Sequence, residues 1–536
     1  MPAKNLTSSE HGAFAREATG LTRQISAWDA FLGNILAMGI AYFFVFEYFA
    51  TLLFPGVDLP ITILVTLIPG IVVALLYYLF TVAMPRTGGD YVWTSRVLGA
   101  PLGFMTNLVL TFTWMASMAT AVAWGISYGI VPMTAALGMV QNNSGLLSLA
   151  TTLSMPNNAF ILTAALIVLF IVPIMLGTRT AFRVMWLMFA ISLIGALVTV
   201  IAFFSAPNAT FVANFNRLSG MDYHTAITKA ALPLGFAVGA TVTGSIFTMT
   251  NFLGFFSSAY FSGEVKRVQR SQVIAMFGSL FFLMVIAFLI YGSAYYSAGS
   301  DFLNAISLLY VTGTGYSLPS VPTLNFLVAF ASPNPAVIVL SGLALLATGL
   351  GGATLFAFVC VRNLFAWSFD RVMPTALTRL DTRRGSPTYA VAVIMVIAVL
   401  LTGVYYYTSF FTYYVFATLN LFIVFTMVSI AAILFPYKLK SVFEAAPGIV
   451  RKKIGSIPFI TILGIIGVIV NVYFGWATAQ PAISPPPSGS ILVQYEAYAT
   501  VPLTVLAGFV IYGVSYAIRK RQGITLGAAF KEIPPE

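Results

Sequence analysis

The sequence predicts an all-α polytopic membrane protein with twelve transmembrane helices. Three observations carry that reading. Of 536 residues, 8% are charged and 59% hydrophobic. A soluble domain carries about a quarter charged residues, so there is too little polar surface here to cover a soluble fold of this length. Mean hydropathy is +0.94, which also excludes intrinsic disorder. The third observation is spacing. No Asp, Glu, Lys or Arg falls in 59–85, 97–178, 184–216, 230–263, 271–300, 302–361, 385–437, 454–495 or 497–518. About 20 apolar residues cross the ~30 Å hydrocarbon core as a helix. A β-barrel needs alternating segments of about ten residues, and these runs are too long and too uniformly apolar.

Span 1 is placed at 28–53 and contains an acid, Glu47. Span 2, at 60–83, fills the first charge-free run. The run 97–178 is broken by the polar, proline-containing stretch Gln141 to Asn158 and so holds span 3 (102–132) and span 4 (158–176). Spans 5, 6 and 7 follow at 182–205, 236–263 and 272–293. In 302–361 one helix, span 8 (336–360), follows Pro335; the Gly-, Ser- and Pro-containing half before it reads as a loop. The run 385–437 breaks at Tyr407–Thr412 into span 9 (388–407) and span 10 (411–435). Spans 11 and 12 lie at 457–477 and 499–518.

With the N-terminus inside, 24 of the 26 Lys and Arg fall on one set of alternating segments, and only Arg217 and Lys229 on the other. Cytoplasmic loops carry such an excess. A multi-pass plasma-membrane protein with both termini cytoplasmic is expected. The net charge of +11 is thereby a property of one membrane face, and nucleic acid is not an expected partner; the lipid bilayer is. The first 27 residues lack the apolar core of a signal peptide.

One cysteine, Cys360, and two histidines, His11 and His224, argue against disulfides and against a Cys- or His-based metal site. There is no Walker A loop, dinucleotide fingerprint or HExxH. No resident cofactor or metal and no enzyme activity are expected. Oligomeric state leaves no trace in the sequence.

Two spans are unusual. Span 1 carries Gly33 and Gly39, and span 6 carries Asn251 and Gly254 mid-way. Glycine destabilises a helix by about 1 kcal/mol relative to alanine. Broken helices at matching positions of two halves point to a midplane binding site. Spacing alone favours close helix packing as the reason for the small residues.

Short motifs in order add a resemblance over nearly the whole chain. After span 2, Pro85-Arg-Thr-Gly-Gly-Asp-Tyr91 resembles a P-x-x-G-G-x-Y segment, followed by Arg96 and the Gly99–Gly103 stretch. Gly177-Thr-Arg179 precedes span 5, and Gly263-Glu-Val-Lys266 ends span 6. Arg362, Asp370-Arg-Val-Met-Pro374 and Gly385-Ser-Pro387 follow span 8. Together they resemble the amino acid–polyamine–organocation (APC) superfamily of permeases. The resemblance implies a LeuT-like 5+5 inverted repeat with two additional C-terminal helices. That divides the chain into a tail (1–27), a first repeat (28–205), an external loop (206–235), a second repeat (236–435), spans 11 and 12 (436–518) and a second tail (519–536). It implies amino acid or polyamine substrates moved by alternating access. The breaks fall on Ala37-Met38-Gly39 and Phe252-Leu253-Gly254.

Half-helix N-termini attract carboxylates, and half-helix carbonyls accept from an ammonium. The expected carboxylate site is the N–H groups near Met38, Gly39, Ile40 and Ala41. The expected ammonium site is the carbonyls near Asn34, Ile35, Asn251 and Phe252. Phe252, Phe255 and Phe256 suit either a pocket wall or packing. Where some family members have an acid two positions after the span 6 glycine, this chain has Phe256, so a neutral or apolar amino acid is favoured. A polyamine or cationic amino acid exchanger, or a non-transporting receptor or channel on the same scaffold, stand as alternatives. Candidates for gating or coupling are Glu47, an intramembrane acid; Ser192, where some proton-coupled members have lysine; and Thr348 and Thr354, hydroxyls for a sodium site. The coupling ion is H+ or Na+. Asp29, Glu264 and Arg362 are candidates for ion pairs at the cytoplasmic face.

Overall fold

A computed structural model describes residues 23–46, 50, 54, 56–230, 237–252, 254–313, 315–381, 386–408, 417–483 and 491–530. Eleven of its helices are long and apolar enough to cross a membrane. They correspond to spans 1–5 and 7–12. The remaining one, span 6, is interrupted. Its first part is the 15-residue helix Val238–Phe252, and a 3-10 segment, Ser257–Glu264, continues it after the turn at Gly254.

Helix ends follow local chemistry. Ser26 and Asp29 form a capping box at the start of span 1. The Asp58 side chain accepts from Ile61 N–H at the start of span 2. Several boundaries differ from the sequence expectation. Span 3 runs Ala100–Val140, because a π-helical stretch, Gly125–Ile130, carries it on without a break. Span 7 covers Val268–Ala298 and span 8 Pro335–Phe369. The half-run 302–335, expected as a loop, holds two helices, Ser300–Thr312 and Leu324–Ala331. The connection after span 5 likewise contains Asn208–Ser219 and Tyr223–Ala230.

Burial sorts the spans into a centre and a periphery. In spans 1, 3 and 8, 94% of the most apolar window is buried, against 28% in spans 4 and 9 and 17% in span 12. Peripheral spans point large apolar side chains outward, among them Leu169, Phe281 and Leu400, each more than 60% exposed. Such a surface suits lipid rather than water. Broken span 1 therefore stands in the middle of the bundle.

Candidate functional site

The first helix of span 1, Ala27–Met38, ends at Gly39, whose φ of 78° is a left-handed backbone conformation that glycine adopts without strain. Helix resumes at Phe43. The Gly39 N–H closes the first half on Ile35 O, at 2.7 Å. Ala41 N–H leaves the ladder and donates to Thr348 Oγ1 of span 8, at 3.2 Å. Among the described residues, nothing donates to the Leu36 or Ala37 carbonyl, and nothing accepts from the Ile40 N–H. Helix ends leave such groups behind, and here they lie in the buried centre.

Span 6 breaks against the same place. Gly254 packs on the Ala37–Met38 peptide, with no room for a side chain. Asn251 Nδ2 donates to Gly39 O at 3.2 Å, while its Oδ1 is buried with no partner. Asn34 Oδ1 accepts from Ser258 N–H at 2.7 Å, and its Nδ2 is likewise unpartnered. Phe252 lies 5.8 Å from the Phe43 ring.

A narrow cavity of about 20 Å³ opens beside the breaks. Ala37, Met38 and Asn251 contribute to its wall, and among the described residues no charged side chain does. Thr120, Ala121 and Trp124 of span 3, Thr250 of span 6 and Phe356 of span 8 line it too; sequence reasoning missed these. Phe255 and Phe256 do not line it. They are fully buried, and Phe256 packs on Tyr77, Trp114 and Phe425. Tyr42 and Phe46 close the cavity against Trp124, each ring 5.9 Å from it.

These features meet the description of one family over most of the chain: a family model for amino acid permeases matches residues 25–507. The chain belongs to the amino acid permease family. No curated protein matches it. The all-α fold with its paired broken spans is that of an APC permease with a LeuT-like core.

The permease is sealed on the face that carries its basic loops. Ile25 N–H donates to Glu264 O and Lys266 N–H to Ile25 O, at 2.9 and 3.0 Å, tying the start of span 1 to the end of span 6. Arg362 grips Glu264 with two hydrogen bonds, at 2.9 and 3.1 Å, and reaches Thr178 Oγ1 at 3.2 Å. A second buried pair, Arg96–Asp370 at 2.9 Å, joins the segment after span 2 to the end of span 8. The sequence suggested Glu264 and Arg362 as partners but not this second pair. Asp29 takes no part: it accepts from Ser26 and from Trp186 Nε1.

The remaining candidates separate. Ser192 Oγ and Thr348 Oγ1 are 2.6 Å apart, so spans 5 and 8 meet at the break. Thr354 Oγ1 turns instead to Phe170 O of span 4 and Leu350 O. Glu47 and Leu253 lie outside the described residues.

Proposed function

We propose that this permease is a secondary active transporter that moves a neutral or apolar amino acid across the plasma membrane by alternating access. One observation carries the reading. At a single level of the bundle, the break in span 1 leaves the Leu36 and Ala37 carbonyls and the Ile40 N–H without a partner among the described residues, beside a cavity whose described wall is uncharged. Helix ends carry about half an elementary charge of each sign. A zwitterion offers the complementary pair, so its ammonium suits the Ala37 side and its carboxylate the Ile40 side. Its side chain then meets Trp124, Phe46 and Phe356. Among the described residues that wall offers no carboxylate to a second cationic group, and burying an unpaired charge is costly.

Alternating access follows from two unlike seals. Towards the basic face, which we take as cytoplasmic, ion pairs and the Ile25–Val265 bridge hold the chain. Towards the other face, among the described residues, the Tyr42, Phe46 and Trp124 rings close the cavity. The coupling ion we favour is the proton. A sodium site would need hydroxyl oxygens pointing at one place, but Thr354 faces span 4 and Thr348 already accepts an N–H.

Proteoliposome uptake across a panel of labelled amino acids tests the reading, with proton and sodium gradients imposed in turn. Concentrative uptake of neutral amino acids is expected. Uptake of putrescine or arginine that excess leucine leaves untouched would falsify the specificity. Binding without flux would make the protein a receptor.

A further inference from the structure

Asp90 stands apart from every other acid among the described residues. It lies in the connection between spans 2 and 3, at the position that the P-x-x-G-G-x-Y segment leaves open, and it is 0% exposed. Among the described residues no cation pairs with it. Its carboxylate is held by three uncharged donors from three different spans. Tyr260 Oη of span 6 donates to Oδ2 at 2.6 Å, Tyr77 Oη of span 2 to the same oxygen at 3.1 Å, and Asn107 Nδ2 of span 3 to Oδ1 at 2.6 Å.

The surrounding charges are committed elsewhere. Arg96, on the same short helix, pairs with Asp370 of span 8, and Arg362 of span 8 pairs with Glu264. Lys438 of span 10 donates to Val97 O. Among the described residues, the titratable groups that meet Asp90 are the two tyrosines, and Arg86, four residues before it, donates to Pro85 O. Trp367 of span 8 reaches the cluster only through Asn107 Oδ1.

We propose that Asp90 is a proton-binding site that holds its proton while the basic face is closed and releases it to water when that face opens. The geometry suits both forms of the carboxyl. A tyrosine hydroxyl donates and accepts, so Tyr77 and Tyr260 can donate to the carboxylate or take a hydrogen bond from the acid. The pocket is also tied to the moving part. Tyr260 belongs to the second half of broken span 6, its carbonyl accepts from Gly88 N–H at 2.9 Å, and its ring leaves no room for a side chain at Gly89.

The sign follows from burial. Desolvation pushes the Asp90 carboxyl up to about 6, although Tyr260, Asn107, Tyr77 and the Tyr91 backbone N–H pull it down. Opened to water, it returns towards the ordinary carboxylate value of ~3.9. A proton favours the state that binds it more tightly, so acid favours closure and opening expels the proton from Oδ2. No other bond changes. Coupling to substrate rests on the transport reading above; the site itself does not.

Infrared difference titration of the reconstituted full chain tests the site. A protonated-carboxyl band with a midpoint near pH 6 is expected for the wild type, and its loss in Asp90→Asn. Tyr260→Phe removes one donor and should raise the midpoint by about one pH unit. A band that persists in Asp90→Asn overturns the proposal, as does an unshifted midpoint in Tyr260→Phe should Asp90→Asn not fold. Uptake of a labelled neutral amino acid mixture supplies the second readout. Asp90→Asn should lose the pH dependence across that midpoint; a wild-type profile overturns the coupling. A wild type that titrates near pH 6 yet transports no amino acid sinks the transport reading and leaves the proton site standing.

Discussion

Gly254 rests against Ala37 so closely that a Cβ on it would lie 2.5 Å from the Ala37 carbonyl carbon and 2.7 Å from its oxygen. The two interrupted spans thus touch backbone to backbone at the site, and neither can move aside cheaply. Overpacking of this kind costs about 1–3 kcal/mol, and displacement by ~1 Å at a binding site can cost about a hundredfold in rate. Gly254→Ala should therefore lower uptake by more than tenfold in proteoliposomes. Gly239, in the first helix of the same span, has open space around it, and Gly239→Ala should leave uptake unchanged. Equal activity in the two variants would remove the close approach from the mechanism.

Asn251 links the two breaks through Gly39 O, lines the cavity and keeps a buried, unpartnered Oδ1. A hydrogen bond lost from a buried group is worth about 1–3 kcal/mol. Asn251→Ala should raise the KM for uptake by about tenfold, with a smaller effect on kcat. A lowered kcat at unchanged KM would mean that Asn251 serves opening rather than binding.

Glu264 and Arg362 form a buried two-point ion pair, with the Arg362 guanidinium also 3.6 Å from the Phe358 ring. Removing one partner from such a pair costs about 3–5 kcal/mol, because the other charge stays buried. Glu264→Gln should lower the thermal unfolding midpoint in detergent clearly. The double variant Glu264→Gln/Arg362→Met, with no orphaned charge, should recover part of the loss. Arg362→Lys cannot restore the two-point geometry and should behave like the single variant.

The parts of this architecture legible in the sequence are those written in charge spacing and glycine. Charge-free runs marked the spans because lipid tolerates few charges. Gly39 and Gly254 marked the breaks because only a missing side chain permits a left-handed turn or a backbone contact there. Other features left weaker marks. Ser300–Thr312 is short, and its flanking glycines and serines resembled a loop. Trp124 and Thr120 reach the cavity from a span buried nearly all round, so no apolar stripe said which face looks inward. The π-helical stretch at 125–130 then shifts the register beyond them. Arg96 and Asp370 are 274 residues apart, and each alone reads as a loop charge.

The basic residues predict a topology that the lone cysteine makes easy to measure. Cys360 is fully buried in span 8, its thiol directed at Thr111 O. A membrane-impermeant maleimide should leave the native chain unlabelled, so any cysteine introduced elsewhere reports by itself. Lys440 lies in a connection with the basic loops, and its side chain is 77% exposed. His224 lies on the opposite connection, between spans 5 and 6. If the excess of Lys and Arg sets orientation, His224→Cys should label in intact cells and Lys440→Cys only after permeabilisation. The reverse pattern would place the sealed face outside, and would make opening of the Asp90 pocket a release of protons to the exterior.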